Sequence, residues 1–303
     1  MEYELIIIRY GEIALKSKTT RKHFESRLIT NIKNAFKRKK ITCNIKKDWG
    51  RIYVYTDLIH ESILILKNIF GIVSVSPAIR TESNMDSISE LALKISEVFL
   101  TKEKSFAIRA ARTGEHAFTS QDVAVKIGND VVEATKAGVN LTKPDFELFI
   151  EVRDENAYIF TEKIRGTGGM PLGTQGKAIA FIGTPKSILA AWLIMKRGCT
   201  TYFAVNNTDM KKMLENFMPK WNIPHPHVIF LKTSQDDKIC GQLKDIAIQG
   251  KCDAFVTGET VYDKKHLHLP TDKETGYYPI LRPLIAFDEK EVNRRCRKLG
   301  IKT

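Results

Sequence analysis

An apolar run, Ala178-Ile179-Ala180-Phe181-Ile182, passes directly into Gly183-Thr184-Pro185-Lys186-Ser187 and then into the apolar segment that begins at Ile188. A buried strand, a tight turn of small residues and a helix start form the junction by which α/β proteins offer backbone N–H groups and a helix N-terminus to a phosphate. The pattern predicts a strand over 178–182 and a helix over 188–197. The same grammar repeats downstream: strands over 200–205, 227–231 and 254–257 alternate with helices over 210–218, 237–249 and 289–299. Such alternation predicts a doubly wound parallel sheet with helices on both faces. Ligands would then lie at the C-terminal strand ends, where Gly183–Ser187 and Thr257-Gly258-Glu259 fall.

Neither common nucleotide fingerprint fits this junction. A Walker loop ending at Gly176-Lys177 needs glycine where Pro171 stands and Ser or Thr where Ala178 stands. A dinucleotide fingerprint begun at Gly166-Thr167-Gly168 meets the same Pro171 in place of its last glycine. The glycine-rich segment ahead of the strand therefore needs another explanation.

The N-terminal half follows a different rhythm. Strands over 2–10, 41–46, 51–56 and 72–78 are interleaved with helices over 20–39 and 61–68, the order of a ferredoxin-like split unit. Next come a helix over 86–100, capped by Asp86 or Ser87, a strand over 105–110 and a helix over 121–137. Strands over 146–152 and 158–163 follow, with Asn156 at their turn. The whole is α/β with an α+β N-terminal half.

Formal net charge is +13, which favours a polyanionic partner. Residues 1–80 carry 16 Lys and Arg against 7 Asp and Glu, residues 81–177 carry 12 against 15, and the remainder 20 against 13. The excess sits in the outer thirds. The five cysteines show no C-x-x-C spacing, so zinc and thioredoxin-type chemistry have no support and a reducing, cytoplasmic setting is expected. The N-terminus has no basic leader ahead of a long apolar region, and no apolar run reaches the ~18 residues of a membrane span.

Several motifs resemble one family. Arg9-Tyr10-Gly11-Glu12-Ile13-Ala14-Leu15-Lys16, with Lys18 beyond it, is similar to the opening of the tRNA 4-thiouridine sulfurtransferases. Phe106 through Arg112-x-Gly114-x-His116-x-Phe118-x-Ser120, then Gly128 and Leu141-x-x-Pro144, resembles their THUMP RNA-binding domain. Gly168 to Lys177 matches the segment that joins THUMP to a pyrophosphate-loop domain, and Asp253–Glu259 and Pro279–Glu291 match later parts of that domain. The resemblance covers nearly the whole chain, as an archaeal-type member without a rhodanese domain. It implies a ferredoxin-like domain over 1–80, THUMP over 81–177 and a pyrophosphate-loop-like domain over 178–303. It also implies tRNA as partner, with Lys16, Lys18, Lys22, Arg109, Arg112, Lys126, Arg165 and Lys177 as RNA contacts.

The nucleotide loop departs from that family. Active relatives read Ser-Gly-Gly-x-Asp-Ser where this chain reads Ile182-Gly183-Thr184-Pro185-Lys186-Ser187. Thr184 adds a Cβ, Pro185 removes a donor and Lys186 reverses the sign of a metal-side carboxylate. The archaeal Cys-x-x-Cys is replaced by Lys232-Thr233-Ser234-Gln235, and the Gln- and Ser-containing run after Glu259 by Thr260 to His268. Two readings follow. In one the chain binds tRNA as an accessory or catalytically diverged protein, partnered by an active homologue or a sulfur-donor protein, and forms a homodimer. In the other it is an active sulfurtransferase using ATP and Mg²⁺ to make 4-thiouridine at tRNA position eight, with Gly183, Thr184, Lys186, Ser187 and Gly258 on the nucleotide. His116 lacks a carboxylate or thiol at useful spacing and reads as structural. Asp263, His266 and His268 lack further metal ligands, and Cys240 and Cys252 lack an activating neighbour.

Overall fold

The computed structural model describes residues 2–223, 226–232, 236–263 and 278–302. In chain order β1 (Leu5–Tyr10), α1 (Lys18–Arg38), β2 (Asn44–Asp48), β3 (Arg51–Tyr55), α2 (Ile59–Leu66) and β4 (Ile72–Glu82) come first. Next are α3 (Met85–Phe99), β5 (Ser105–Thr113), α4 (Ser120–Thr135), β6 (Gly138–Val139), β7 (Phe146–Arg153), β8 (Asn156–Phe160) and β9 (Ile164–Arg165). The last part holds β10 (Gln175–Ile182), α5 (Pro185–Lys196), β11 (Cys199–Val205), α6 (Thr208–Phe217), β12 (His227–Phe230), α7 (Asp236–Gly250), β13 (Ala254–Val256), β14 (Ile280–Leu281) and α8 (Glu289–Leu299). Two compact units result. One contains residues 1–9, 41–64 and 74–165, the other 10–40, 65–73 and 166–303.

In the first unit, strands run in the order β2-β3-β1-β4-β8-β7-β5-β6, with β9 also on β4. The β4-β1-β3-β2 end is the ferredoxin-like arrangement expected from the sequence. Ile88, Ala92 and Ile95 of α3 and Val123, Ile127 and Val131 of α4 pack on Phe106, Ile108, Leu148 and Ile150 of the sheet. Burial of these apolar stripes is what holds both helices in place. Asn84 caps α3 through its Oδ1, 2.8 Å from the Ser87 N–H, rather than Asp86 or Ser87. The helix starts one residue early, so the cap moves to a side chain outside the apolar pattern. The β7–β8 turn falls on Asp154, at φ 48°, with Asn156 already in the strand. Asp tolerates the left-handed region nearly as well as Asn.

Arg9 belongs to this unit's interior. Its Nη2 lies 2.7 Å from Glu151 Oε1 and its Nη1 2.9 Å from Ser76 Oγ, with the guanidinium 4.7 Å from the centre of the Phe160 ring. Arg51 Nε takes Glu151 Oε2 at 2.9 Å. One buried carboxylate thus bridges two guanidiniums.

The second unit carries the parallel sheet, ordered β12-β11-β10-β13-β14. Ala178, Ala180 and Ile182 of β10 face a core shared with α5, α6 and α8, while Ile179 faces Ile239, Leu243 and Ala247 of α7. Both faces of β10 are therefore covered, which explains its unbroken apolar run. The fifth strand, β14, has no counterpart in the sequence pattern, because a two-residue strand leaves no periodicity to read.

Candidate functional site

In order of appearance the strands of the parallel sheet lie 3-2-1-4-5, so the order reverses between β10 and β13. Open α/β sheets bind ligands at the carboxyl ends of the strands flanking such a reversal. Residues 183–187 and 257–259 meet there, as the strand pattern predicts. Gly258 passes so close to the start of α5 that a Cβ on it would lie 2.8 Å from the Ser187 Cα.

The helix start itself offers little to a phosphate. Thr184 is extended, at φ −142° and ψ 161°, and its side chain caps no backbone N–H. Its Oγ1 lies 3.1 Å from Ser187 Oγ. Pro185 brings no N–H, and the Ser187 N–H is given to the Thr184 carbonyl at 3.0 Å. Beside this turn is a cavity of about 400 Å³ lined in part by Thr184, Lys186, Thr260, Asp263 and Asn293.

Lys186 is committed to Asp263. Its Nζ lies 2.5 and 2.6 Å from the two carboxylate oxygens, and Oδ2 also accepts from the Thr260 N–H at 2.7 Å and hydroxyl at 2.8 Å. Burial acts to raise the Asp263 carboxyl, but the hydrogen bonds from Lys186 and Thr260 outweigh it and hold it below the usual carboxylate range. The pairing joins residues 77 apart, which nothing in the local sequence announces. Asp263 is thus a partner for the loop lysine. His266 and His268, considered with it as metal ligands, lie outside the described residues. Among the described residues no three His, Cys, Asp or Glu side chains are grouped to hold a metal. Arg282, just beyond β14, grips Glu259 Oε2 through Nε at 2.5 Å, and among the described residues the buried Oε1 has no hydrogen-bond partner.

The glycine-rich segment is a backbone strap. Gly166 and Gly168 donate to the carbonyls of Val73 and Ile72 at 2.8 and 2.7 Å. Met170 and Gly173 donate to Lys196 and Gly198 at 2.9 and 2.8 Å. Those N–H groups are spent on the fold. The glycines are required because a Cβ on Gly166 or Gly169 would run into the Ile72 or Lys196 carbonyl.

The basic candidates divide between the units. In the second, Lys16, Lys18 and Lys22 are exposed around the start of α1, whose first turn carries no acidic residue. Lys177 stands at the opposite pole of the parallel sheet from residues 183–187, its N–H on Asp253 Oδ2 at 2.8 Å. In the first unit Arg165 is exposed on β9. Arg109 holds Glu147 at 2.7 Å and the Leu141 carbonyl at 2.8 Å, Arg112 reaches the Gly114 carbonyl at 2.7 Å, and Lys126 pairs with Asp130 at 2.7 Å. His116 Nε2 bonds the Asp154 carbonyl at 2.8 Å, the structural role its sequence context suggests. Burial pushes the Cys252 thiol up to about 11, so it stays protonated near neutrality.

Residues 5–76 match the ThiI ferredoxin-like domain and residues 82–162 the THUMP domain. With the parallel-sheet unit, they define a THUMP-containing α/β protein. A probable tRNA sulfurtransferase of Methanobrevibacter smithii is 42% identical over 337 aligned positions, spanning 99% of this chain and 87% of the relative. The corresponding protein of Methanosarcina mazei is 32% identical, spanning 99% and 83%. The chain belongs to the tRNA sulfurtransferase family. A solved protein of Pyrococcus horikoshii superposes with a TM-score of 0.81 at 27% identity, covering 98% of this chain and 99% of that one. A 4-thiouridine synthetase solved with RNA and bound ATP has the same fold, with a TM-score of 0.78 at 24% identity, covering 99% and 86%.

Proposed function

We propose that this chain is a tRNA-binding member of the family whose nucleotide loop no longer supports adenylation, so that it acts as an accessory or catalytically diverged protein. The observation that carries the reading is the Lys186–Asp263 ion pair beside the loop. A phosphate approaching the start of α5 would have to displace Asp263 from Lys186, and it would find one backbone donor missing at Pro185 and another used at Ser187. Mg²⁺-bound ATP does not fit this arrangement: the charge at the loop is a lysine, and the nearby carboxylate already has its cation.

Domain identity supports the tRNA partner, with Lys16, Lys18, Lys22, Arg165 and Lys177 as phosphate contacts. Arg109, Arg112 and Lys126 belong to the same reading and would exchange part of their present hydrogen bonds for phosphate. The functional division runs 1–80, 81–177 and 178–303, the setting is the cytoplasm, and the further partners are an active homologue or sulfur-donor protein and a second copy of this chain.

The competing reading is an active ATP-dependent enzyme making 4-thiouridine at tRNA position eight. It draws on Gly183, Ser187 and Gly258 lying at the strand-order reversal. Calorimetry with ATP and Mg²⁺, with and without a tRNA transcript, separates the two. The accessory reading expects salt-dependent tRNA binding and no heat from ATP. Micromolar ATP binding with AMP formed in the presence of tRNA would overturn it.

A further inference from the structure

The hairpin between β2 and β3 carries Trp49 at its tip, 64% exposed. Isolated exposed apolar residues are common and need no explanation. This one differs in how firmly its backbone is held. Arg153, whose side chain is only 7% exposed, donates through Nη1 and Nη2 to the Trp49 carbonyl, both at 3.0 Å, and through Nη1 to Asp48 Oδ2 at 2.7 Å. Asp48 Oδ1 accepts the Trp49 N–H at 2.6 Å. Gly50 turns the chain at φ 73°, and its carbonyl accepts from Arg51 Nη1 at 2.8 Å. Arg51 is itself fixed by Glu151.

A buried arginine spent on the carbonyl of an exposed tryptophan holds a large aromatic side chain on a preorganised tip facing solvent. A backbone already held in place leaves less of the tip to be ordered on binding. The flanking strand adds Lys46, whose Nζ lies 5.5 Å from the centre of the Tyr55 ring, and Lys47, both exposed on β2 beside Asp48, whose carboxylate Arg153 holds. Edge lysines also discourage strand pairing, which accounts for them alone but not for the held tryptophan. An aromatic platform beside cations on a basic chain has the composition of a nucleobase-stacking site.

We propose that Trp49 is a stacking platform for an unpaired base of the bound RNA, with Lys46 and Lys47 against the adjoining phosphates. The proposal rests on the RNA-binding reading and adds a specific contact to it. Among three tryptophans, Trp192 and Trp221 are 9% and 7% exposed, so emission accessible to acrylamide belongs to Trp49. The full chain, W49A and W49F are titrated with a tRNA transcript and with a fully paired RNA duplex. Stacking expects tRNA to quench the accessible emission and shield it from acrylamide. It expects W49A to weaken tRNA binding by roughly five- to a hundredfold without changing the salt dependence, and W49F to recover most of that loss. Duplex binding should be the same for W49A and the unaltered chain. If W49A binds tRNA like the unaltered chain and acrylamide reaches Trp49 equally in the complex, the stacking assignment falls while RNA binding stands. If the unaltered chain fails to bind tRNA, both fall.

Discussion

Gly258 and Ser187 meet at the reversal of strand order with no room for a methyl group between them: a Cβ on Gly258 would sit 2.8 Å from the Ser187 Cα and 2.9 Å from its N. Both atoms belong to the backbone of α5, which cannot swing aside as a side chain can. Gly258→Ala is therefore expected to lower stability by about 1–3 kcal/mol through overpacking. Gly128, inside α4, has no atom of the described residues within 4 Å of the position a methyl would take. Gly128→Ala should raise stability by about 0.5–1 kcal/mol. Denaturant unfolding of both variants checks the pair, and an equal effect of the two would remove the steric argument.

The Lys186–Asp263 pair makes a pH-dependent contribution. Both side chains are about three-quarters buried, at 23% and 24% exposure, so the pair is worth more than a surface bridge and less than a dry one; about 1 kcal/mol is expected. Because Asp263 is held below the usual carboxylate range, this stability is present above the pH at which an unfolded aspartate ionises. It is lost as pH falls through the lower folded value. Lys186→Met should be less stable than the unaltered chain at neutral pH, and the gap should close in acid. Thermal unfolding from neutral pH down to strong acid reads this, and a gap that persists unchanged at the acid end would show that the lysine acts by packing alone.

Local pattern and long-range pairing differ in what they disclose, and these residues show why. The run 178–182 announces a buried strand because both faces of β10 are covered, so every position is apolar. The α1 stripe of Phe24, Leu28, Ile32 and Phe36 is legible for a similar reason, since a helix buries one face at a fixed period. Lys186 reads as a loose cation because its carboxylate is 77 residues away. Glycines 166–169 fit neither nucleotide fingerprint, yet their role as a strap is not legible either, because it depends on close approach to the carbonyls of Ile72 and Lys196. The held carbonyl of Trp49 is invisible in the same way, with its arginine 104 residues on.

Glu151 bridges Arg9 and Arg51 with its side chain 8% exposed. Burial alone would raise its carboxyl; the hydrogen bonds and charges of Arg51 and Arg9 prevail and hold it low. Glu151→Gln leaves two guanidiniums facing each other across a neutral amide, and a loss of about 3–5 kcal/mol is expected at neutral pH. The effect should shrink as pH falls below the usual carboxylate range, where the native Glu151 loses its charge as well. Stability measured in urea at neutral pH and in acid decides this. A loss under about 1 kcal/mol at neutral pH would mean that the arginines find other partners.

Lys16, Lys18 and Lys22 surround the positive end of α1, whose first turn holds no acidic residue to offset them. Cations at a helix N-terminus are unfavourable unless an anion joins them, so the arrangement costs stability that phosphate would restore. Replacing all three by glutamine should raise the melting temperature slightly in the absence of RNA and weaken tRNA binding. The slope of log affinity against log salt should fall by about 3, one for each lost phosphate contact. Lys177 stands apart at the other pole of the parallel sheet, with its Nζ already 3.2 Å from the Gly250 carbonyl. Lys177→Gln should therefore change the slope by about 1 or less. Filter binding of a tRNA transcript across a series of salt concentrations measures both. An unchanged slope in the triple variant would move the phosphate footprint away from α1, whereas a drop confined to Lys177→Gln would place it at the amino ends of the parallel strands.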